Sequence, residues 1–214
     1  MTFISVFSIF SKFFFYFTSI LVIMDPLLGA AMLLSLVPAA RRGDIAYIAK
    51  RTSLTILIAG LLTIVLGDKI LKIFGINVYS VKAFGGILLI LMGLDMIRAR
   101  VSEIKSTREE TLEAFHRDDI AVIPLGIPTL FGPGVFTTLL IFRAEVKENL
   151  VLGFSLLIAF LSVTLLVYFI LLNSKKISEY LGITGMNILK RIMGIVTGAV
   201  GIQFLISGVK ALWS

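Results

Sequence analysis

The sequence has no cysteine among its 214 residues and only one histidine. The absence of cysteine excludes disulfides, thiolate metal sites and cysteine nucleophiles. A single histidine leaves no partner for a paired-histidine metal site. Charged side chains are also scarce, at 15% of the chain, whereas a soluble domain carries about 25%. Water is therefore not expected to be the main solvent of this chain.

Long uncharged runs take the place of charge. Apolar residues make up 58% of the chain, and its mean hydropathy is +1.04. A helix needs roughly 20 apolar residues to cross the hydrocarbon core of a bilayer. Six long runs occur, at 13–40 (interrupted by Asp25), 52–67, 83–97, 120–142, 150–172 and 192–209. The sequence thus predicts an all-α polytopic membrane protein with six transmembrane helices.

Basic residues are unevenly divided between the two sides of such a protein. Six spans place 13 lysines and arginines on one side and seven on the other. Because cytoplasmic loops are enriched in these residues, we predict a multi-pass cell-membrane protein with both termini extracytoplasmic. The net charge of +7 forms no aromatic-interleaved basic stripe, so no nucleic-acid partner is expected.

The two halves of the chain resemble each other at a shift of 107 or 108 residues. Pro26 falls on Pro133, and Gly75 falls on Gly182. Further along, Lys82, Gly86, Gly93 and Asp95 fall on Lys190, Gly194, Gly201 and Gln203. Each half holds three spans, an odd number, so the second half must enter the membrane in the opposite direction. We therefore predict two inverted three-helix repeats, at 1–100 and 120–214, joined by a cytoplasmic linker at 101–119, as in alternating-access transporters.

The first and fourth spans each carry a break. The first run covers 28 residues, about 42 Å as a helix, against a hydrocarbon core of roughly 30 Å, with Asp25-Pro26 near its middle. The fourth contains Pro124, Pro128 and the run 132–134, Gly-Pro-Gly. Each interior proline removes a helical hydrogen bond at about 3 kcal/mol. Matched breaks in two repeats point to a transporter binding site.

A helix broken at mid-membrane exposes amides at one new end and carbonyls at the other. Helices restarting after Pro26 and Pro133 are predicted to aim their first amides at a carboxylate. Asp25 and the carbonyl ends suit an ammonium group, so the two breaks together suit a zwitterion. The predicted substrate-binding residues are Asp25, Pro26, Leu28, Gly29, Gly132, Pro133, Gly134, Val135, Phe136 and Thr137. The alternative is that proline and glycine are simply frequent in membrane helices and that neighbouring hydroxyls satisfy the exposed groups.

Asp25 has several interpretations of its own. A carboxylate at mid-bilayer costs on the order of 3 kcal/mol, which favours a functional role. It is a candidate to hold a coupling cation, Na⁺ or H⁺. The alternatives are an ion pair with a basic residue and a position in a water-filled vestibule. No other cofactor and no metal is expected, and without a catalytic motif the chain is predicted not to be an enzyme.

The third span of each half carries one notable polar residue and several glycines. Asp95 is a secondary site candidate, and an interfacial ion pair with Arg98 is the equal alternative. Its repeat mate Gln203 suits a hydrogen bond across helices. The glycines permit close helix packing, either inside the monomer or between the protomers of a homo-oligomer. They are Gly85, Gly86 and Gly93 on the third span and Gly194, Gly198 and Gly201 on the sixth.

Four segments, in order, are MDPLLGAAMLLSLVP, FGINVYSVKAFGGILLILMGLDMI, AVIPLGIPTLFGPGVFTTLL and KRIMGIVTGAVGIQFLISGV. Together they resemble the MarC family of integral membrane proteins over nearly the whole chain. The resemblance implies six helices in two inverted repeats, and archaeal SnatA members of that family transport small neutral amino acids such as glycine and alanine. It assigns the two half-sites to Asp25, Pro26 and Gly29 and to Gly132, Pro133 and Gly134. Where the family commonly shows Asn-Ile-Pro, this chain has Ala30-Ala31-Met32, which bears on substrate identity.

The leading hypothesis is an ion-coupled secondary transporter, a symporter of small neutral amino acids that works by alternating access. A structural or regulatory membrane subunit that binds a partner through its glycine faces is one alternative. An exporter or passive channel for another small solute is the other.

Overall fold

The computed structural model describes residues 3–98, 117–147 and 149–213, and every regular element in these ranges is a helix. The predicted linker at 101–119 lies outside them except for its last three residues. In chain order the elements are α1 (Phe3–Met24), α2 (Pro26–Leu36), α3 (Arg42–Ile73), α4 (Val78–Ile97), α5 (Arg117–Val122), a π-helical segment (Leu125–Leu130), α6 (Pro133–Glu145), α7 (Leu150–Leu172) and α8 (Ser174–Trp213).

Six parts of this chain are long and apolar enough to cross a bilayer. Five are single spans, and the sixth is a pair of helices bent by 61° at its break. The spans are Ile9–Leu36, Arg42–Gly67, Val78–Ile97, the pair Ile120–Leu130 and Pro133–Glu145, Leu150–Leu172, and Thr184–Trp213. Each contains or overlaps one of the six predicted runs, so the all-α polytopic fold is confirmed.

The two halves share an order of elements. Each has a broken span, a straight span, a turn at a left-handed glycine and a third span. The two glycines are Gly75, with φ of 62°, and Gly182, with φ of 60°, a region that costs glycine little. They are the residues matched by the 107-residue shift. In the second half this glycine lies within α8 as a kink, so the spanning part of α8 begins at Thr184.

The half-helices that follow the breaks are surrounded by the opposite half. The helix α2 packs against the π-helical segment, α7 and α8, whereas α6 packs against α1, α3 and α4. Neither half can therefore bury its broken span alone. The largest helix interface in the described chain joins α4 to α8, the third spans of the two halves.

Glycines bring α4 and α8 into backbone contact. A Cβ atom on Gly86 would lie 2.5 Å from the Leu205 nitrogen and 2.6 Å from the Gly201 oxygen. A Cβ on Gly93 would lie 2.6 Å from the Gly194 oxygen. The glycine faces are thus used for packing inside the monomer. The outer faces expose large apolar side chains to lipid, among them Phe84, Ile87, Ile202 and Ile206.

Candidate substrate site at the two helix breaks

The first break consists of a single residue. Asp25 adopts a left-handed conformation with φ of 48° and ψ of 67°, and Pro26 opens α2. Aspartate tolerates this region better than most residues. Because proline has no amide hydrogen, it cannot donate to the Val22 carbonyl one turn earlier. The helix therefore stops at Met24 and restarts after Asp25, whose side chain is only 2% exposed.

Asp25 caps the helix that it starts. Its Oδ1 accepts a hydrogen bond from the Leu28 amide at 3.2 Å, and its backbone oxygen accepts from the Gly29 amide at 3.2 Å. The two amides that the sequence assigned to a substrate carboxylate therefore already have partners. The first break therefore presents a buried carboxylate and the carbonyl end of α1 rather than a pair of donors.

The second break is capped differently. Gly132 precedes α6 in an extended conformation and has no side chain to cap it, and Pro133 fills the first helical position. The Phe136 amide donates to the Gly132 oxygen at 3.0 Å, inside the helix. Gly134 and Val135 are consequently the residues whose amides head an uncapped helix start, where the helix dipole also favours negative charge.

The two breaks lie against each other. A Cβ on Gly134 would lie 3.2 Å from Ile23 Cγ2 at the end of α1. Reciprocally, a Cβ on Gly29 would lie 2.6 Å from Leu130 Cδ2, just before the second break. Ile23 and Leu130 are related by the same 107-residue shift as the prolines. The acceptor end of one half thus lies beside the uncapped donor end of the other.

Apolar side chains enclose this junction. Next to Gly134, a Cβ would lie 2.8 Å from Met92 Sδ and 3.1 Å from Leu89 Cδ2, both on α4. On the side of the first break, the Thr129 hydroxyl donates to Met32 Sδ at 3.2 Å and links the π-helical segment to α2. In such a low-dielectric setting, charges and dipoles interact more strongly than in water. The junction can therefore discriminate the charge pattern of a small ligand.

Some predicted site residues lie away from this junction. The Thr137 hydroxyl donates to the Pro133 oxygen within α6, and its side chain packs beside Gly85. Gln203 is exposed on α8, and Pro133, although it lies between Gly132 and Gly134, has an exposed side chain. Asp95 is half-buried one helical turn beyond Met92. The structure therefore gathers Asp25, Pro26, Leu28, Gly29, Gly132, Gly134 and Val135, with Phe136 half-buried at the edge.

The sequence reasoning missed the apolar walls. Ile23 and Leu130 each precede the proline of a break by three residues, so the repeat itself contained their signal. Leu89 and Met92 follow Gly85 by four and seven residues, a helical spacing that places them on the face that packs inward.

An aromatic cluster joins α1, α6 and α8. Tyr16 and Phe142 are 1% and 0% exposed, with ring centroids 4.9 Å apart, and Phe142 also meets Phe204 edge-on at 5.9 Å. Nearby, Lys82 and Glu145 form an ion pair at 2.6 Å. Tyr16 lies in the first half of the span Ile9–Leu36, Lys82 lies early in α4, and Phe142, Glu145 and Phe204 lie late in α6 and α8. By the predicted topology they all lie on the extracytoplasmic side.

Comparisons with known proteins agree over most of the chain. The family profile described as MarC family integral membrane protein matches residues 10–213. A UPF0056 membrane protein of Methanocaldococcus jannaschii is 33% identical over 91% of this chain and 94% of its own length. One from Aquifex aeolicus is 33% identical over 92% of this chain and 91% of its own length. One from Escherichia coli is 31% identical over 71% of this chain and 70% of its own length. No solved structure shows a significant match to this chain.

Proposed function

The chain belongs to the MarC family of integral membrane proteins, and from that premise we propose that it is an ion-coupled secondary transporter of small neutral amino acids. The substrate class is glycine and alanine, and the mechanism is alternating access across the cell membrane.

One observation carries the proposal, the contact between the end of α1 and the start of α6. Asp25 and the neighbouring α1 carbonyls face the substrate ammonium group. The amides of Gly134 and Val135 face the substrate carboxylate, as at other half-helix N-termini in transporters. Because the two half-sites come from different halves of the chain, a rocking motion of one half against the other changes both together.

The close packing at the junction supports a small substrate. One added carbon at Gly134 would displace the Met92 side chain, and one at Gly29 would displace the Leu130 side chain. A substrate with a hydrogen or methyl side chain disturbs these walls least. In this proposal Asp25 also holds the coupling cation, Na⁺ or H⁺, and the protein performs no enzymatic chemistry.

The other hypotheses fit the geometry less well. The hypothesis of a partner-binding subunit needs accessible glycine faces, but those faces pack against each other between α4 and α8. A passive channel needs a continuous path, whereas Tyr16 and Phe142 are fully packed on one side of the junction. Alternating access also fits two halves with opposite orientations in the membrane, which three spans per half predict.

The test is uptake of radiolabelled glycine and alanine by proteoliposomes that contain the purified protein, with sodium and proton gradients imposed separately. We expect accumulation above the outside concentration under one of the two gradients. The Gly134→Ala variant should lose most of this uptake. Gly134 is at the start of α6, and its new methyl group would lie against Met92 of α4.

Gly153→Ala is the matched control, since a Cβ at Gly153 meets nothing within 4 Å and alanine favours a helix by about 1 kcal/mol. It should transport like the wild type. Uptake that never exceeds the outside concentration would indicate a channel. No uptake of either amino acid under any gradient would reject the proposed substrate class.

A further inference from the structure

The helices α3 and α7 run antiparallel and leave two depressions along one seam. Near its middle the seam is closed by Gly60, which lies against the Phe160 ring. Towards the start of α3 the helices diverge. An inner groove lies between residues 50–57 and 161–168, and an end pocket follows beyond it, between Arg42 and residues 172–179.

The inner groove is long and mainly apolar. It has a volume of about 310 Å³, and its walls include Leu54, Leu57, Leu161 and Leu165. All four belong to transmembrane spans, so the groove opens towards the hydrocarbon of the bilayer. Leu161 and Leu165 are 41% and 57% exposed, although each is large and apolar. Such a groove fits a flexible hydrocarbon chain.

The end pocket is basic. It has a volume of about 260 Å³ and is lined by Arg42, Lys175 and Lys176, with Glu179 as its acidic residue. Lys175 donates to the Ala40 carbonyl at 2.7 Å, which ties its ammonium group to the connection between α2 and α3. Asn173 also lines the pocket, and its side-chain amide donates to the Phe169 carbonyl at 2.8 Å. Three cations against one anion make the pocket complementary to a negatively charged group.

A polar step joins the two depressions. Lys50 and Tyr168 line the groove at the end nearer the basic pocket. The Ser53 side chain also lines it and is 8% exposed, and its hydroxyl makes no hydrogen bond to any part of the chain that the structure describes. Polarity therefore rises along the seam from the membrane centre to its surface, as it does along a lipid molecule.

We propose that the α3–α7 seam binds one anionic phospholipid. Its phosphate lies between Arg42 and Lys176, its glycerol backbone lies near Lys50 and Ser53, and one acyl chain fills the groove beside Leu57 and Leu165. The basic end belongs to the side that the distribution of lysine and arginine predicts to be cytoplasmic, where anionic lipids attract basic residues. This site is separate from the helix breaks and does not depend on the proposed transport activity.

Thermal unfolding of the detergent-purified protein tests this site. We expect added phosphatidylglycerol to raise the unfolding temperature, and phosphatidylcholine of the same chain length to raise it much less. The Arg42→Gln/Lys176→Gln variant lacks the two side-chain charges that face the lipid phosphate. It should bind phosphatidylglycerol with an apparent affinity weakened by about five-fold per charge. Filling the groove in Leu165→Trp should weaken it with every charge intact.

Lys69→Gln/Lys72→Gln is the matched control, because it removes two exposed charges from the opposite end of α3. It should respond to phosphatidylglycerol like the wild type. The proposal is overturned if both lipids stabilise equally, or if the Arg42/Lys176 variant keeps the full response. It is also overturned if glycerol phosphate, which has no acyl chain, reproduces the effect of the lipid.

Discussion

Asp25 caps α2 through its side chain and, in the proposed mechanism, also supplies the negative charge of the site. These two tasks are separable by substitution. Asparagine caps helices about as well as aspartate and tolerates the left-handed backbone, but it has no charge. Alanine loses both properties.

We expect Asp25→Asn to fold with a stability close to that of the wild type and to lose at least about 30-fold in glycine uptake, the usual order for removing one partner of a buried charge pair. Asp25→Ala should lose uptake and about a further 1 kcal/mol of stability. Unfolding curves and uptake rates measured on the same preparations check both statements. Full uptake by Asp25→Asn would show that the carboxylate charge is not part of the site.

At the residue scale, the sequence predicted the break at Asp25-Pro26 but not the hydrogen bond that closes it. The prediction assigned the amides exposed by the break to a substrate. It did not consider that aspartate before proline is itself a preferred helix cap. Gln203 shows a different limit. The repeat matches it to Asp95 in the same 108-residue register as the glycines, but a sequence match does not specify which helices flank each position, and Asp95 is half-buried whereas Gln203 is exposed.

At the scale of helices, the two breaks are alike in position and unlike in shape. The first is a one-residue interruption in a span that counts as a single segment, whereas the second bends the chain by 61°. Pro124 and Pro128 precede the second break, and Ile127 between them is extended, with φ of −131° and ψ of 128°. The repeat predicted where both spans break. It could not predict these shapes, because only the second half carries the additional prolines.

The interface of α4 with α8 leads to a prediction about stability. At Gly86 an added Cβ would meet backbone atoms of α8 at 2.5–2.6 Å, and backbone cannot move aside as a side chain can. Gly86→Ala should therefore destabilise the protein by about 1–3 kcal/mol. Gly198 lies in the same interface, yet its Cβ direction meets nothing within 4 Å.

Gly198→Ala is thus the matched control and should leave the stability unchanged or raise it slightly. Thermal unfolding in one detergent compares the two variants directly. Equal stability of both would mean that α4 and α8 are not in backbone contact. The sequence correctly singled out these faces, but only the packed structure shows that they meet each other inside the monomer.

At the scale of the whole molecule, alternating access needs a barrier on each side of the site that opens in turn. In the proposed mechanism, the aromatic cluster of Tyr16, Phe142 and Phe204 and the ion pair of Lys82 with Glu145 form such a barrier on the predicted extracytoplasmic side. The ion pair joins α4 of the first half to the end of α6 of the second half, so opening this side must break it.

Glu145→Gln should therefore raise access to the junction from the extracytoplasmic side. The chain has no cysteine, so a single Val135→Cys substitution provides a unique label site in the buried start of α6. We expect a membrane-impermeant thiol reagent outside the cell to label Val135→Cys/Glu145→Gln several-fold faster than Val135→Cys alone. Equal rates would show that this ion pair does not hold the barrier closed.

In the proposed mechanism the two helix breaks together recognise a zwitterion, with its ammonium group at Asp25 and its carboxylate at the amides of Gly134 and Val135. Competition against radiolabelled glycine uptake in proteoliposomes tests it most directly, with excess alanine, glycinamide, which lacks the carboxylate, and acetate, which lacks the ammonium group. We predict that alanine suppresses uptake and that glycinamide and acetate do not. Equal suppression by glycinamide or by acetate would contradict recognition by both breaks.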